Sequence, residues 1–279
     1  MKTISKLTNA LIGVLLVLLL MPVGFAAATG GTWTTVTPMP TARFGQSVGV
    51  INGNLYVAGG FGTSNLNVLE VFDPTTNVWL TKTASPTPVV LAADGVINGK
   101  FYLAGGGSTN NIATLQVYDP ITDNWSIKTP MPFASGGAIA GVINGKLYVA
   151  GGMNPSNTSP IDTLRVYDPI SDNWTIKTSI PSARAGAKGV VVNGMLYVIG
   201  GVNNSSGIAV TNVDAYDPTT DTWTTKASMT TARSDYAIGM INGIIYVAGG
   251  YNGNGLALTE AYNTATNSWT TVTSMPTAR

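Results

Sequence analysis

Tryptophan marks out this chain at nearly regular intervals. The six Trp residues stand at 33, 79, 125, 174, 223 and 269, so the steps between them are 46, 46, 49, 49 and 46. A period of this size denotes repeated units that bury their apolar faces only by stacking on one another. Gly-Gly doublets at Gly59-Gly60, Gly105-Gly106, Gly151-Gly152, Gly200-Gly201 and Gly249-Gly250 keep the same steps wherever the two series overlap. Each doublet follows an apolar run with Tyr at one position: Tyr56, Tyr102, Tyr148, Tyr197 and Tyr246. An Asn-Gly pair precedes each run (Asn52-Gly53 in the first), and both central residues of a type I′ hairpin turn need positive φ. Past the doublet a polar loop leads to Val-Phe, Val-Tyr or Ala-Tyr, then to Asp-Pro-Thr-Thr-Asn or a relative, then to Trp. Asp accepts backbone N–H bonds and Pro presets φ, so this is a second tight turn.

Every copy therefore encodes four short strands, expected at 45–50, 54–60, 67–72 and 78–83 in the first. Four antiparallel strands every 40–50 residues describe an all-β propeller blade. The doublet, the Tyr before it, the Tyr or Phe before the second turn and the spaced Trp resemble the kelch repeat, and the resemblance covers 33–279. It implies a kelch-type β-propeller over 29–279, with five complete repeats ending at Trp79, Trp125, Trp174, Trp223 and Trp269. Residues 33–37 are expected to add an extra N-terminal fourth strand. Because 33–43 and 269–279 agree at ten of eleven positions, two readings stand: part of a six-bladed protein, or a five-bladed ring with a redundant first strand.

Before the repeats, Lys2 and Lys6 precede an apolar run over 10–21, Pro22 and Gly24 break it, and Ala26-Ala27-Ala28 offers small residues for cleavage. This reads as a secretory signal peptide over 1–28. The run is short for a membrane anchor, which needs about 20 residues. The mature chain, with 12 basic and 13 acidic residues, is expected to be secreted, periplasmic or on the cell surface, with no membrane attachment. Its neutrality argues against nucleic-acid binding. The absence of Cys and His excludes disulfides, thiolate or imidazole metal sites, cysteine nucleophiles and Ser-His-Asp triads. No cofactor is implied. Galactose-oxidase-type chemistry on kelch blades fails for the same reason, since it needs His and a Tyr-Cys crosslink.

Most remaining chemistry belongs to the scaffold. The repeat-position Tyr residues, the Trp residues and Phe72 read as inter-blade core. Seven acidic residues (Asp73, Asp119, Asp123, Asp168, Asp172, Asp217, Asp221) sit in the Asp-Pro turns, too sparsely for calcium. Lys82, Lys128, Lys177 and Lys226 protect an outer strand edge. The copies differ between strands two and three, where the third and fourth repeats are three residues longer, and variable loops on one face mark the binding face of a repeat protein. The same face is expected to carry Arg43, Arg184 and Arg233, ten residues after a Trp, together with Phe44, Phe61, Phe133, Tyr236 and Tyr251. The arginines either bond loop carbonyls or form a partial basic ring for a carboxylate. The candidate ligand-binding set is Arg43, Arg184, Arg233, Phe61, Tyr236 and Tyr251. Two functions follow: a non-catalytic extracellular module binding a glycan or protein, or a periplasmic carbohydrate enzyme. The latter would resemble the kelch-type sialic acid mutarotase, with Asp94 or Asp235 as acid or base.

Overall fold

The computed structural model describes residues 34–107, 110–203 and 207–279. The signal segment over 1–28 and Trp33 lie outside the described residues. Twenty strands of five residues each form five four-stranded antiparallel meanders, the blades of a five-bladed β-propeller. Blade 1 comprises Ser47–Ile51, Asn54–Ala58, Leu69–Asp73 and Val78–Lys82, the innermost strand first. The innermost strands of blades 2 to 5 are Ala93–Ile97, Ile139–Ile143, Lys188–Val192 and Ala237–Ile241.

Backbone chirality sets these boundaries. All five Asn-Gly turns are left-handed at both residues, with φ of 49–51° at Asn and 73–81° at Gly. The doublets end the second strand because their two residues hold φ of 53–70° and 90–98°. The innermost strand starts at Ser47 and not at 45, since Gly45 is itself left-handed at φ 64°. A side chain at the first doublet position would also collide with the next connection: a Cβ on Gly105 would lie 2.3 Å from the Ser135 carbonyl oxygen. Gly53, by contrast, has nothing within 4 Å. Gly105→Ala should therefore cost about 2 kcal/mol or more, and Gly53→Ala only the left-handed strain of about 1 kcal/mol. Urea unfolding of the two variants side by side checks the difference.

Neighbouring blades are clasped by the residues of the second turn. Trp125 Nε1–H donates to the carbonyl of Thr83, where blade 1 ends, at 2.8 Å. Asp123 Oδ1 accepts from the Thr83 N–H at 3.2 Å and from the Tyr118 hydroxyl at 2.6 Å. That hydroxyl is the main reason the Asp123 carboxyl titrates below its usual value. The same clasp recurs with Trp174 and Asp172 on Thr129, Trp223 and Asp221 on Thr178, and Trp269 and Asn267 on Ala227. The rings of Trp79, Trp125, Trp174, Trp223 and Trp269 lie 5.0–5.2 Å from their own blade's Tyr or Phe. The cores thus lie between blades: Tyr56 and Val71 of blade 1 pack with Phe101, Tyr118 and Trp125 of blade 2.

Within the described part of the extra fourth strand expected at 33–37, residues 34–37 form no strand. All twenty strands already complete five sheets, so residues 34–37 have no third strand to pair with. They lie against blade 1, where Thr37 takes the place that Thr83 holds on blade 2: its N–H donates to Asn77 Oδ1 (3.0 Å) and its carbonyl accepts from Trp79 Nε1–H (2.9 Å). Extensive innermost-strand contacts link the blades in chain order from the first to the fifth. On the outward sides of the first and last blades Val50, Met240 and Ile241 are exposed, and a Cβ on Gly239 would meet nothing within 4 Å.

Candidate functional site

Five residues in register, each two positions after the arginine position, govern the channel mouth on the loop face. Gly45, Leu91, Gly137, Gly186 and Asp235 are all left-handed, at φ 55–64°. This conformation turns each N–H toward the preceding blade and each carbonyl toward the next. Leu91 N–H donates to Gly45 O (2.7 Å), Gly137 to Leu91 (2.8 Å), Gly186 to Gly137 (2.9 Å) and Asp235 to Gly186 (3.0 Å). The result is a belt of backbone hydrogen bonds around the mouth. Leucine is disfavoured there, and the belt holds Leu91 in place regardless.

Beneath the belt lies the arginine position, where the carbonyl-bonding reading of the arginines holds and the basic-ring alternative is corrected. The side chains of Arg43, Arg184 and Arg233 are fully buried, turned into the blade instead of the mouth. Arg233 donates to the carbonyls of Gly249 (3.0 Å) and Leu258 (2.9 Å) and pairs with Glu260. Arg43 does the same with Gly59, Val68 and Glu70, and Arg184 with Asn212 and Asp214. The reason is a socket of strand-two and strand-three carbonyls plus a strand-three carboxylate, which satisfies a guanidinium better than a solvated ligand could. The socket also explains the copies without arginine. In blade 2 Val89 stands opposite Gln116, whose amide bonds both polar groups of the Thr87 backbone. In blade 3 the charge comes from the other side: Arg165 on strand three reaches Ser135 Oγ (2.9 Å) and the Gly151 carbonyl (2.7 Å). Among the described residues no carboxylate pairs with Arg165, and burial pushes its guanidinium down to about 10.

Above the socket the mouth opens into a cavity of about 440 Å³. Phe44 and Phe61, with rings 5.5 Å apart, line one part of it; Leu91, Met153 and Val202 line others. Asp235 is the ionisable side chain in its wall, and Asn111 and Asn157 supply amides. The three-residue insertion of the third repeat contributes here: Asn111 Nδ2–H donates to the Asn154 carbonyl at 2.7 Å, and Asn111 N–H to that of Pro155 at 3.0 Å. Among the expected ligand residues, Phe61 lines the cavity and Tyr251 lies half exposed beside Ser234. Tyr236 is a second correction. It is 3 % exposed, its hydroxyl donates to the Ile199 carbonyl and accepts from Lys188 N–H, and it thereby ties blade 5 to blade 4. Leu91, Asn111 and Met153 were not singled out from sequence; the register of Gly45, Gly137 and Gly186 was the signal available for the belt.

Asp94 lies on the innermost strand of blade 2 and caps the Val48 N–H of blade 1 at 3.0 Å. Its side chain is half-buried, yet the surrounding walls keep bulk water off it and push its carboxyl up to about 6, with Lys188 pulling the other way. The folded-state value is above the unfolded one near 3.8, so ionised Asp94 weighs against folding above about pH 6. That penalty fades as the pH falls through 6 toward 4. The denaturant midpoint of the native chain should therefore rise between about pH 7 and about pH 5, and Asp94→Asn should flatten that rise.

Comparisons agree with this architecture. The Attractin/LZTR1 β-propeller family model matches residues 25–258. A solved chain titled "Structure of YjhT" superposes with a TM-score of 0.76 over 88 % of this chain and 89 % of its own, at 19 % identity, a likeness of fold. No match was found among curated proteins.

Proposed function

Since this chain belongs to the Attractin/LZTR1 β-propeller family, with its five blades built from kelch-type repeats, we propose that it is an exported binding module that takes a glycan or a protein segment at the channel mouth. The observation that carries this reading is the cavity of about 440 Å³ on the loop face, apolar in most of its wall and edged by amides and one carboxylate. Concave, mainly apolar sites with a few placed polar groups are the usual form of a ligand pocket. The signal-like segment over 1–28 supports export. A binding role is favoured over the carbohydrate-enzyme reading because Arg43, Arg184 and Arg233 are committed to the socket and leave no guanidinium to hold a substrate carboxylate.

A glycan and peptide array probed with the mature chain tests the proposal. Phe61→Ala should weaken capture of whatever binds by about tenfold or more, as loss of an aromatic anchor does. Ile170→Ala, at a 96 %-exposed position in a second turn on the opposite face, should leave capture unchanged. Binding that follows Ile170 and ignores Phe61 would place the site on the wrong face.

A further inference from the structure

We infer that the mouth selects a sugar carrying a protonated amine and discriminates against sugars carrying a carboxylate. The inference rests on the mouth being the binding site and adds the chemistry of what it takes. Three observations on different residues support it.

The first is the charge of the wall. Asp235 is the ionisable side chain lining the cavity, it is exposed, and its Oδ2 accepts from the Ser234 hydroxyl at 2.7 Å. Among the described residues no hydrogen bond uses its Oδ1, which lies beside Gly186, where a Cβ would come within 3.2 Å of it. The second is where the positive charge went. Three arginines that sequence places near the mouth are buried in their sockets against Glu70, Asp214 and Glu260. Lys188 is not in the cavity wall, and its field falls on Asp94. An incoming carboxylate would meet Asp235 with no cation to offset it, and like charges at close range repel. The third is the aromatic pair. Phe44 is 65 % exposed and sits beside Phe61, an apolar floor for the face of a pyranose whichever group its amine carries. Carboxylate and aromatic pair stand at opposite ends of the hydrogen-bond belt, Asp235 at its last residue and Phe44 just before its first.

Titration calorimetry of the mature chain at low salt against chitobiose with free amines, its N-acetylated counterpart, and N-acetylneuraminate tests this. The free amine should bind about tenfold tighter than the N-acetylated sugar, and N-acetylneuraminate weakest. Asp235→Asn is close to isosteric and Asn tolerates the left-handed backbone that this position requires; it should erase the preference while the variant keeps its thermal midpoint. Phe44→Ala should weaken both chitobiose forms alike. Equal affinity for the two, preferred binding of N-acetylneuraminate, or an amine preference that survives Asp235→Asn overturns the inference. If Phe44→Ala and Phe61→Ala still abolish binding of one of these sugars, the mouth remains the site and only its charge selectivity is lost. If no sugar binds, the inference fails, and the array with Phe61→Ala decides separately whether the mouth binds anything else.

Discussion

Arg233→Ala should lower the unfolding free energy by about 3–5 kcal/mol, the range for removing one partner of a buried ion pair. The variant leaves Glu260, fully buried, facing a hole, and the Gly249 carbonyl without a donor, while the Leu258 carbonyl keeps only the Gly249 N–H. The loss is mainly this stranded charge, so removing the second partner should restore stability. Blade 2 supplies the replacement: Val89 and Gln116 fill the same pair of positions without charge. Arg233→Val with Glu260→Gln should therefore recover most of what Arg233→Ala loses, in urea unfolding followed by tryptophan fluorescence. A double variant as unstable as the single one would show that the pair is irreplaceable in blade 5.

Trp125→Ala is expected to cost about 3–5 kcal/mol as well, the usual range for truncating a buried aromatic. Trp125 is 9 % exposed, its ring lies 5.2 Å from Tyr118, and its indole N–H holds the Thr83 carbonyl of the preceding blade. Two losses combine: apolar area inside blade 2, and one of the bonds that keeps blade 2 on blade 1. Trp125→Phe separates them, since it keeps most of the area and loses the N–H; its deficit should be about 1 kcal/mol. An unchanged denaturation midpoint for Trp125→Ala would contradict the burial of this residue.

Much of the fold was legible because repetition gave the chain an internal alignment. Asn52, Gly53 and Gly59 each announce a left-handed residue, and five copies in register leave the strands between them little freedom. The fourth-strand reading did not hold over 34–37 for a physical reason: a strand sequence becomes a strand only beside a partner, and among the described residues none is free there. The arginines left two readings open because sequence shows a charge but not the direction of its side chain. The clue was the strand-three position, which carries Glu70, Asp214 or Glu260 opposite each arginine, Gln116 opposite Val89, and Arg165 opposite Ser135. Tyr236 was out of register and entered the candidate ligand-binding set, whereas its hydroxyl is used between two blades. The cavity itself is assembled from connections far apart in the chain, and only the spatial order of the blades brings Phe61, Asn111 and Asp235 to one opening.

The belt of left-handed residues also gives the mouth a direction. All of its N–H groups point back along the order of the blades and all of its carbonyls point forward. Among the described residues no hydrogen bond uses the Gly45 N–H at one end or the Asp235 carbonyl at the other. The string of peptide dipoles is thus a compass needle bent into an arc, partially positive where it begins beside Phe44 and negative where it ends, at the residue that also carries the carboxylate. A ligand with its own dipole would meet a rim that tells one way round from the other before any side chain touches it.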